Sequence, residues 1–302
     1  MKFIKPFIIV CLLVFLTGCD KEIEEGVMKS DLTKDVEMVT DLGSIIIRLS
    51  DETPIHRNNF IKLVNQKFYD SIAFHRVIEN FVIQAGNPTT KPSEEYKGNG
   101  DPKLSYTIES EINDKLFHQR GALGAARTGG ISNRKRLSSG LQFYIVQRGV
   151  YVDSTLNKTL ERINKGLAYN TVVNSPGISD DIDAFTSFRE ELSLKTEKEY
   201  TKNDTVQLNS LYSKVELYKI DSLAEVAYEN MTNKYDFPEG RREVYKTIGG
   251  TPHLDQNYTI FGQVVKGMDV VDSIAVVKTN DAGKPIKDVR IISVKMIERV
   301  VY

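Results

Sequence analysis

The chain has 302 residues, of which 40 are Lys or Arg and 41 are Asp or Glu, so its formal net charge is −1. This balance disfavours an electrostatic binder of nucleic acid or polyphosphate, because such proteins carry a basic excess. With 40% hydrophobic and 27% charged residues, the composition is typical of a globular protein and excludes collagen, wholesale disorder and multi-span membrane classes.

The first 18 residues have the pattern of an export signal. Lys2 and Lys5 precede an unbroken apolar run over residues 7–16, which is much shorter than the roughly 20 apolar residues of a spanning helix. The run ends in Leu16-Thr17-Gly18-Cys19, which resembles the lipobox of bacterial lipoproteins. The resemblance implies that residues 1–18 are removed and that Cys19 carries a diacylglycerol. A chance cysteine near an ordinary cleavage site is the alternative.

The cysteine count excludes a disulfide framework. Cys11 would leave with the signal and Cys19 would be consumed by lipid. Residues 19–35 are then expected to form a lipidated acidic tether, flexible over residues 20–26, that holds a folded domain off a membrane. The protein is expected in a bacterial cell envelope, at the periplasmic face or at the outer surface of the outer membrane. Acidic stretches after a lipidated cysteine mark surface export in some bacteria, and a solvated linker is the alternative.

The folded part begins with strand signals. Strand-forming residues at 36–40 and 45–49 predict a hairpin around the polar turn at 41–43. Thr53 is predicted as the N-cap of a helix whose first position is Pro54 and which runs to about Lys67. Its apolar residues fall on one face that would plug the open end of a sheet or barrel; they are Ile55, Phe60, Leu63 and Val64.

The remaining apolar runs predict a mainly β protein. A short helix is predicted at 268–274. Eight or so antiparallel strands and two helices suggest a closed barrel capped by the helices, since closure removes unpaired strand edges. The further strands are predicted at 73–78, 81–85, 104–112, 121–126, 141–147, 258–265 and 289–300.

The pattern changes to a helical period between the strands, over residues 148–250. Apolar residues recur at helical spacing from Leu156 to Leu167, with Asp153 or Ser154 as cap. Asn203 or Asp204 is predicted to cap a longer helix that reaches about residue 230. The sequence therefore predicts an α-helical insertion, which would act as a lid or client-binding arm or pack as a solvated hairpin on the barrel. An acidic cluster at 180–183 suits a helix N-terminus better than a calcium site, because it lacks the EF-hand glycine and glutamate.

No nucleophile elbow, phosphate loop, zinc-protease motif or Cys-x-x-Cys occurs in the sequence, and we expect neither metal nor cofactor. Four motifs stand out in this order: Phe74-His75-Arg76-Val77-Ile78 with Phe81-Val82-Ile83-Gln84-Ala85-Gly86-Asn87; Gly121-Ala122-Leu123-Gly124-Ala125-Ala126-Arg127; Ser139-Gly140-Leu141-Gln142-Phe143-Tyr144-Ile145; and Leu254-Asp255 followed by Phe261-Gly262. Together they resemble the cyclophilin family of peptidyl-prolyl cis-trans isomerases. The resemblance covers residues 36–147 and 251–302, which would form the two parts of one cyclophilin-like barrel.

The resemblance implies a peptidyl-prolyl isomerase that assists the folding of exported proteins and that works without a cofactor. Arg76, Gln84 and Gln142 would be catalytic, with Gln84 bonding the substrate backbone and Gln142 orienting Arg76. The substrate-binding residues implied are Phe81, Val82, Ala126, Arg127, Tyr144, His253, Leu254 and Tyr258.

Arg76 also makes chemical sense as the central residue. The X-Pro amide rotates slowly, with a barrier of about 18–20 kcal/mol, because the nitrogen lone pair is delocalised into the carbonyl. A cation that donates a hydrogen bond to the prolyl nitrogen would localise that lone pair and stabilise the twisted transition state. On a strand, Phe74, Arg76 and Ile78 would share one face, so that Arg76 can point into a pocket.

Five positions depart from the family's usual residues. His253 stands where many members have tryptophan, and cyclosporin sensitivity is left undetermined. The other departures are Tyr258, Val82, Tyr144 and Arg127. None removes the proposed catalytic group, so we expect activity. A role of His253 as metal ligand or general base is the alternative to a position on the pocket rim.

We expect a monomer that binds proline-containing segments of exported proteins, is attached to the membrane through Cys19 and does not bind nucleic acid. Two other functions remain open from the sequence: a weakly active or inactive peptide-binding chaperone, and a structural lipoprotein. Loss of catalysis with retained binding in an Arg76→Ala variant would separate the isomerase from the binding module.

Overall fold

The computed structural model describes residues 21–92, 106–196, 198–238 and 240–299. The predicted signal peptide, Cys19, the first part of the strand expected at 104–112 and the end of the strand expected at 289–300 lie outside the described residues. Within them, no helix combines the length and the apolar character needed to cross a bilayer.

Eight strands form one antiparallel sheet, as predicted. The described strands are β1 (Glu22–Glu24), β2 (Val27–Met28), β3 (Lys34–Thr40), β4 (Gly43–Leu49), β5 (Arg76–Ile78), β6 (Val82–Ala85), β7 (Thr107–Ile108), β8 (Ala122–Ala125), β9 (Ser138–Ser139), β10 (Phe143–Val146), β11 (Ile260–Lys266) and β12 (Ile291–Glu298). Across the large sheet the order is β12, β3, β4, β11, β8, β10, β6 and β5, and two small two-stranded sheets pair β1 with β2 and β7 with β9.

The sheet curls, but a fully closed strand ladder is not confirmed. β5 and β12 form the two edges, and the segment before β5 bridges them: the Ser71 N–H donates to the Ile291 carbonyl over 2.8 Å and the Phe74 N–H to the Val289 carbonyl over 2.9 Å. The strand predicted from residue 73 begins only at Arg76, because the Ala73 N–H donates to the Thr90 hydroxyl instead of to a strand. The two edges are thus joined by individual backbone hydrogen bonds and not by a continuous strand ladder.

Two helices cover the core of the curled sheet. α1 (Pro54–Asn65) buries Phe60, Leu63 and Val64, whereas Ile55, which was predicted on the same face, is 47% exposed. The Phe60 ring meets the Phe143 ring of β10 edge-on at 5.6 Å. A second helix, Met268–Ala275, lies late in the chain and buries Val271 and Ile274.

The N-terminus of α1 is not capped as predicted. The Thr53 hydroxyl is buried without a hydrogen-bond partner. The Glu111 carboxylate instead accepts the N–H of Ile55 over 3.1 Å and that of His56 over 2.9 Å. A carboxylate at this end satisfies free N–H groups and complements the helix dipole.

The segment predicted as a flexible tether is folded from Glu22 onward. β1 and β2 pair antiparallel, and Val27 is fully buried. Side chains of α1 hold the hairpin: Asn58 donates to the Glu24 carboxylate over 2.8 Å, and Lys62 donates to the Glu25 carboxylate over 2.6 Å. Glu24 and Glu25 therefore have partners on α1, which the composition of the segment alone does not reveal.

The predicted helical character of this region is present, and the described residues between 148 and 250 form five helices. The prediction of one long helix that reaches about residue 230 is wrong, because the chain turns at Lys219, where φ is +47°. Thr201, not Asn203 or Asp204, is the N-cap of the first of the two resulting helices, and Asp204 completes its capping box. The helices are α2 (Asp153–Val173), α3 (Ile178–Ser193), α4 (Lys202–Leu217), α5 (Ile220–Glu229) and α6 (Arg241–Thr247), and the helix Met268–Ala275 is α7.

The acidic cluster opens α3, as the sequence predicts. Asp180 and Asp181 lie in its first turn. Asp181 pairs with Lys214 of α4 over 2.6 Å, and Asp183 pairs with Arg134. These carboxylates thus join α3 to neighbouring segments.

Candidate active site

The residues of three central strands divide between two faces. Ile83 of β6, Leu123 of β8 and Ile145 of β10 point into the main hydrophobic core. Their neighbours point outward and form a second apolar cluster, which is where the predicted site residues lie. That cluster contains Val82, Ala122, Ala126, Tyr144, Val146 and Ile260, packed by Phe81, Leu116, Leu254 and Tyr258.

Strand register aligns the central site residues in one row. Arg76 of β5 lies opposite Gln84 of β6, which lies opposite Tyr144 of β10, which lies opposite Gly124 of β8. Residues directly opposite in an antiparallel sheet share a face. Gly124 leaves room for the phenol, since a Cβ there would lie 2.3 Å from Tyr144 Cζ.

The row opens into a cavity of about 180 Å³. Nine of the eleven residues implied as catalytic or substrate-binding line it, and the other two, Gln142 and His253, lie against its lining. This volume is below the roughly 300–1,000 Å³ of sites for drug-sized ligands, so the cavity suits a single residue-sized group. The lining residues are Arg76, Phe81, Val82, Gln84, Ala126, Arg127, Tyr144, Leu254 and Tyr258.

Arg76 stands at this cavity with its charge available. Its guanidinium carbon lies 5.7 Å from the centroid of the Phe81 ring. Within the described part of the chain, no carboxylate pairs with Arg76. Phe74, expected on the same face, is instead buried in the main hydrophobic core, because the regular strand starts only at Arg76.

Gln84 and Gln142 interact directly. The Gln84 amide donates to the Gln142 side-chain oxygen over 3.1 Å. Gln142 was expected to orient Arg76; it contacts Gln84, the cross-strand neighbour of Arg76, instead. Burial lowers the pKa of His75, and a hydrogen bond with Gln142 partly offsets this effect.

Arg127 and Tyr258 close one side of the cavity. The Arg127 guanidinium carbon lies 4.6 Å from the Tyr258 ring centroid. Its Nη2 donates to the Asn257 side chain over 2.7 Å and its Nε to the Asn257 carbonyl over 2.9 Å. These bonds fasten the segment after the short 3-10 helix Pro252–Leu254 to the end of β8. The Tyr258 ring meets the Tyr144 ring edge-on at 6.0 Å.

His253 lies behind the cavity and not in its lining. Its ring stacks on Phe81 at 5.4 Å with an interplanar angle of 18°. Burial, followed by the positive charge of Arg162, lowers the pKa of His253 to about 4. The imidazole is therefore uncharged near neutral pH and supports Phe81 as an aromatic surface.

The low pKa of His253 predicts a loss of stability in acid. In the unfolded chain its pKa is about 6.5, so between pH 6.5 and 4 the unfolded state binds a proton that the folded state does not. The free energy of unfolding should therefore fall as pH falls through this window, by up to about 3 kcal/mol. His253→Phe keeps the stack and removes the titration. Urea unfolding at pH 7 and pH 5 should show a smaller decline in the variant; parallel declines would contradict this role.

A buried polar network beneath the cavity was missed by the sequence analysis. The Tyr144 hydroxyl lies 2.8 Å from His118 Nε2, and His118 Nδ1 lies 2.8 Å from Asp255 Oδ1. The Tyr245 hydroxyl of α6 donates to Asp255 Oδ2 over 2.7 Å, and Arg241 lies 3.7 Å from the same oxygen. Because Asp255 fixes the proton on Nδ1, Nε2 can accept from Tyr144. The insertion is thus bonded to the cavity floor. The Leu254-Asp255 motif was the available signal.

The sequence model of one family matches most of the chain. It is described as cyclophilin type peptidyl-prolyl cis-trans isomerase/CLD and matches residues 35–186 and 230–296. The stretch between the two matched parts holds the end of α3, α4 and α5.

Curated relatives carry the same activity in their names. A provisionally named peptidyl-prolyl cis-trans isomerase of Staphylococcus saprophyticus is 25% identical over 262 residues, covering 86% of this chain and 90% of the relative. A provisionally named bifunctional phosphatase/peptidyl-prolyl cis-trans isomerase of Streptococcus pyogenes is 26% identical over 87% of this chain and 38% of its own length. A solved cyclophilin type isomerase of Cryptosporidium parvum gives a TM-score of 0.47 at 16% identity, over 88% of this chain and 99% of that chain.

Proposed function

The chain belongs to the cyclophilin-type peptidyl-prolyl cis-trans isomerase family, and from this premise we propose that its isomerase site is the cavity between Arg76 and Tyr258. The observation that carries the proposal is the gathering of nine residues, separated by up to 182 positions in the sequence, around one small cavity. They supply an apolar floor, two guanidinium groups (Arg76 and Arg127) and one amide, that of Gln84.

The chemistry follows from the row of cross-strand residues. A proline ring seated on Val82, Tyr144 and Leu254 presents its amide toward Arg76. The guanidinium donates a hydrogen bond to the prolyl nitrogen as the amide twists. Gln84, fixed by Gln142, donates to a substrate carbonyl. These bonds strengthen in the twisted state, in which the nitrogen is pyramidal, and so lower the barrier.

The test is the rate at which a proline tetrapeptide relaxes to its cis-trans equilibrium. Without a catalyst this takes about 10–100 s at 25 °C. A chain beginning at residue 20, present in catalytic amounts, should shorten that time in proportion to its concentration. A folded chain that leaves the relaxation time unchanged would contradict the proposal.

We also propose that the protein works in a bacterial cell envelope, attached through lipid on Cys19. The support is the signal-like pattern of residues 1–19. Because the described fold begins at Lys21, the isomerase would sit close to the bilayer. Metabolic labelling with a fatty acid should mark the full chain in the membrane fraction, and Cys19→Ala should abolish both label and membrane association. Unchanged labelling of the variant would contradict the anchor.

A chaperone activity toward exported chains is the second candidate, and exposed apolar side chains of the insertion favour it. Leu217 is 81% and Val206 61% exposed on α4, and Val226 of α5 is 54% exposed. Because α6 is bonded to the cavity floor, deletion of residues 151–250 would also disturb the proposed active site. Point variants avoid this effect. Leu217→Glu with Val226→Glu should weaken the suppression of aggregation of an unfolded protein and leave tetrapeptide relaxation within about two-fold. Equal suppression by variant and wild type would contradict this activity.

A further inference from the structure

A second cavity adjoins the proposed proline pocket and has no assigned role. Its volume is about 290 Å³, and Leu254 and Tyr258 line both cavities. The opposite wall is α2 of the insertion, through Arg162 and neighbouring residues. An extended polypeptide advances about 3.3 Å per residue. A chain with its proline in the first cavity can therefore place a nearby side chain in the second.

Two arginines give this second cavity a positive character. Arg136, half-buried, donates through Nε to Asn170 over 3.0 Å and through Nη1 to the Gln256 carbonyl over 2.6 Å. Both partners are uncharged, so the structure holds the guanidinium in place without neutralising it. Burial, followed by the positive charge of Arg127, lowers the pKa of Arg136 to about 10. Arg162 is exposed at the mouth.

No carboxylate of the lining balances these charges. Asp255 is the only acidic residue among the described residues around the cavity. Its oxygens already accept hydrogen bonds from His118 and Tyr245. An unpaired, partly desolvated guanidinium gains most from an anion that brings its own hydrogen-bond acceptors. The cationic wall is local, since the whole chain is close to neutral.

Resting on the isomerase function proposed above, we propose that the second cavity is a subsite for an acidic side chain. The preferred polypeptides then carry Asp or Glu at a position flanking the X-Pro pair, and Arg136 and Arg162 determine this specificity. The carboxylate binds Arg136 from the cavity, with the exposed Arg162 adding to the field at its mouth.

The test compares matched proline peptides with Glu, Gln or Lys at each of the two flanking positions. In wild-type protein, kcat/KM for isomerisation should be about 10-fold higher for the Glu peptide than for the Gln peptide at one or both positions. The Lys peptide should have a lower kcat/KM than the Gln peptide. At 0.5 M salt, the preference for Glu should be smaller. In Arg136→Gln with Arg162→Gln, the Glu-to-Gln ratio should approach one. Arg162→Glu, at an exposed position, should also reduce it, and Arg189→Gln on α3 should not.

Two readouts separate failure of this inference from failure of the isomerase proposal. If no peptide is isomerised faster, the isomerase proposal fails, and peptide affinities measured by calorimetry still decide the subsite. Tighter binding of the Glu peptides, lost in the Arg136 and Arg162 variants, supports it. Equal kcat/KM and equal affinity for Glu and Gln peptides, or a preference unchanged in the variants, would overturn it.

Discussion

Arg76→Ala should lower kcat/KM for a proline tetrapeptide by about 100-fold or more while the protein stays folded. Removal of one donor that stabilises a transition state costs roughly 100–1,000-fold in other enzymes. The guanidinium has no ion-pair partner in the described part of the chain, so its loss leaves no buried charge behind. The measurement is the relaxation rate of the peptide at several protein concentrations.

Two companions make the Arg76 result specific. Arg76→Lys keeps the charge and loses the planar, forked donor set, so we expect activity between those of wild type and Arg76→Ala. Lys287→Ala, at an exposed residue outside the pocket lining, should match wild type. Peptide affinity should fall far less than the rate in Arg76→Ala. A rate within three-fold of wild type would remove Arg76 from the catalytic role.

Asp255→Ala should be among the most destabilising single changes in the chain. Asp255 is 3% exposed and accepts hydrogen bonds from His118 and Tyr245, with Arg241 3.7 Å away. Its removal leaves the buried Arg241 guanidinium without its carboxylate partner and the His118 and Tyr245 donors without their acceptor, and breaking such a buried pair typically costs about 3–5 kcal/mol. Urea unfolding at pH 7.5 measures the loss of unfolding free energy.

Other variants should lose less unfolding free energy than Asp255→Ala, according to how many hydrogen bonds of the network each one removes. Tyr245→Phe removes one bond to Asp255 and should cost about 1–2 kcal/mol, whereas Asp281→Ala, at an exposed turn position, should cost under about 0.5 kcal/mol. Asp255→Ala should also reduce isomerase activity, because His118 no longer holds the Tyr144 hydroxyl. A loss below 1 kcal/mol in Asp255→Ala would show that the network does not join the insertion to the cavity floor.

Much of the site could be predicted because its signals are local. Because side chains alternate between the two faces of a strand, Val82 and Gln84 must share one face, and so must Tyr144 and Val146. The family motifs then supply what a single strand cannot, namely that Arg76 and Tyr144 belong to one pocket. The structure adds the register that aligns Arg76, Gln84 and Tyr144 in one row.

What the sequence did not reveal depends on pairs that are distant along the chain. Glu111 caps α1 from 55 residues away, and Tyr245 of the insertion holds Asp255. The tether was predicted flexible because its composition is polar and acidic, but the matching donors lie on α1. The break at Lys219 follows from a left-handed backbone conformation that a helical apolar period cannot show.

The cavity between Arg76 and Tyr258 is where we propose that X-Pro rotation is catalysed. The most direct test is exchange spectroscopy of a proline tetrapeptide at equilibrium, recorded with catalytic amounts of isotopically labelled protein. We predict cis-trans exchange peaks that require the protein, together with shift changes at Val82, Ala126 and Leu254. Folded protein that produces no exchange, or exchange with shift changes confined to residues outside this cavity, would contradict the claim.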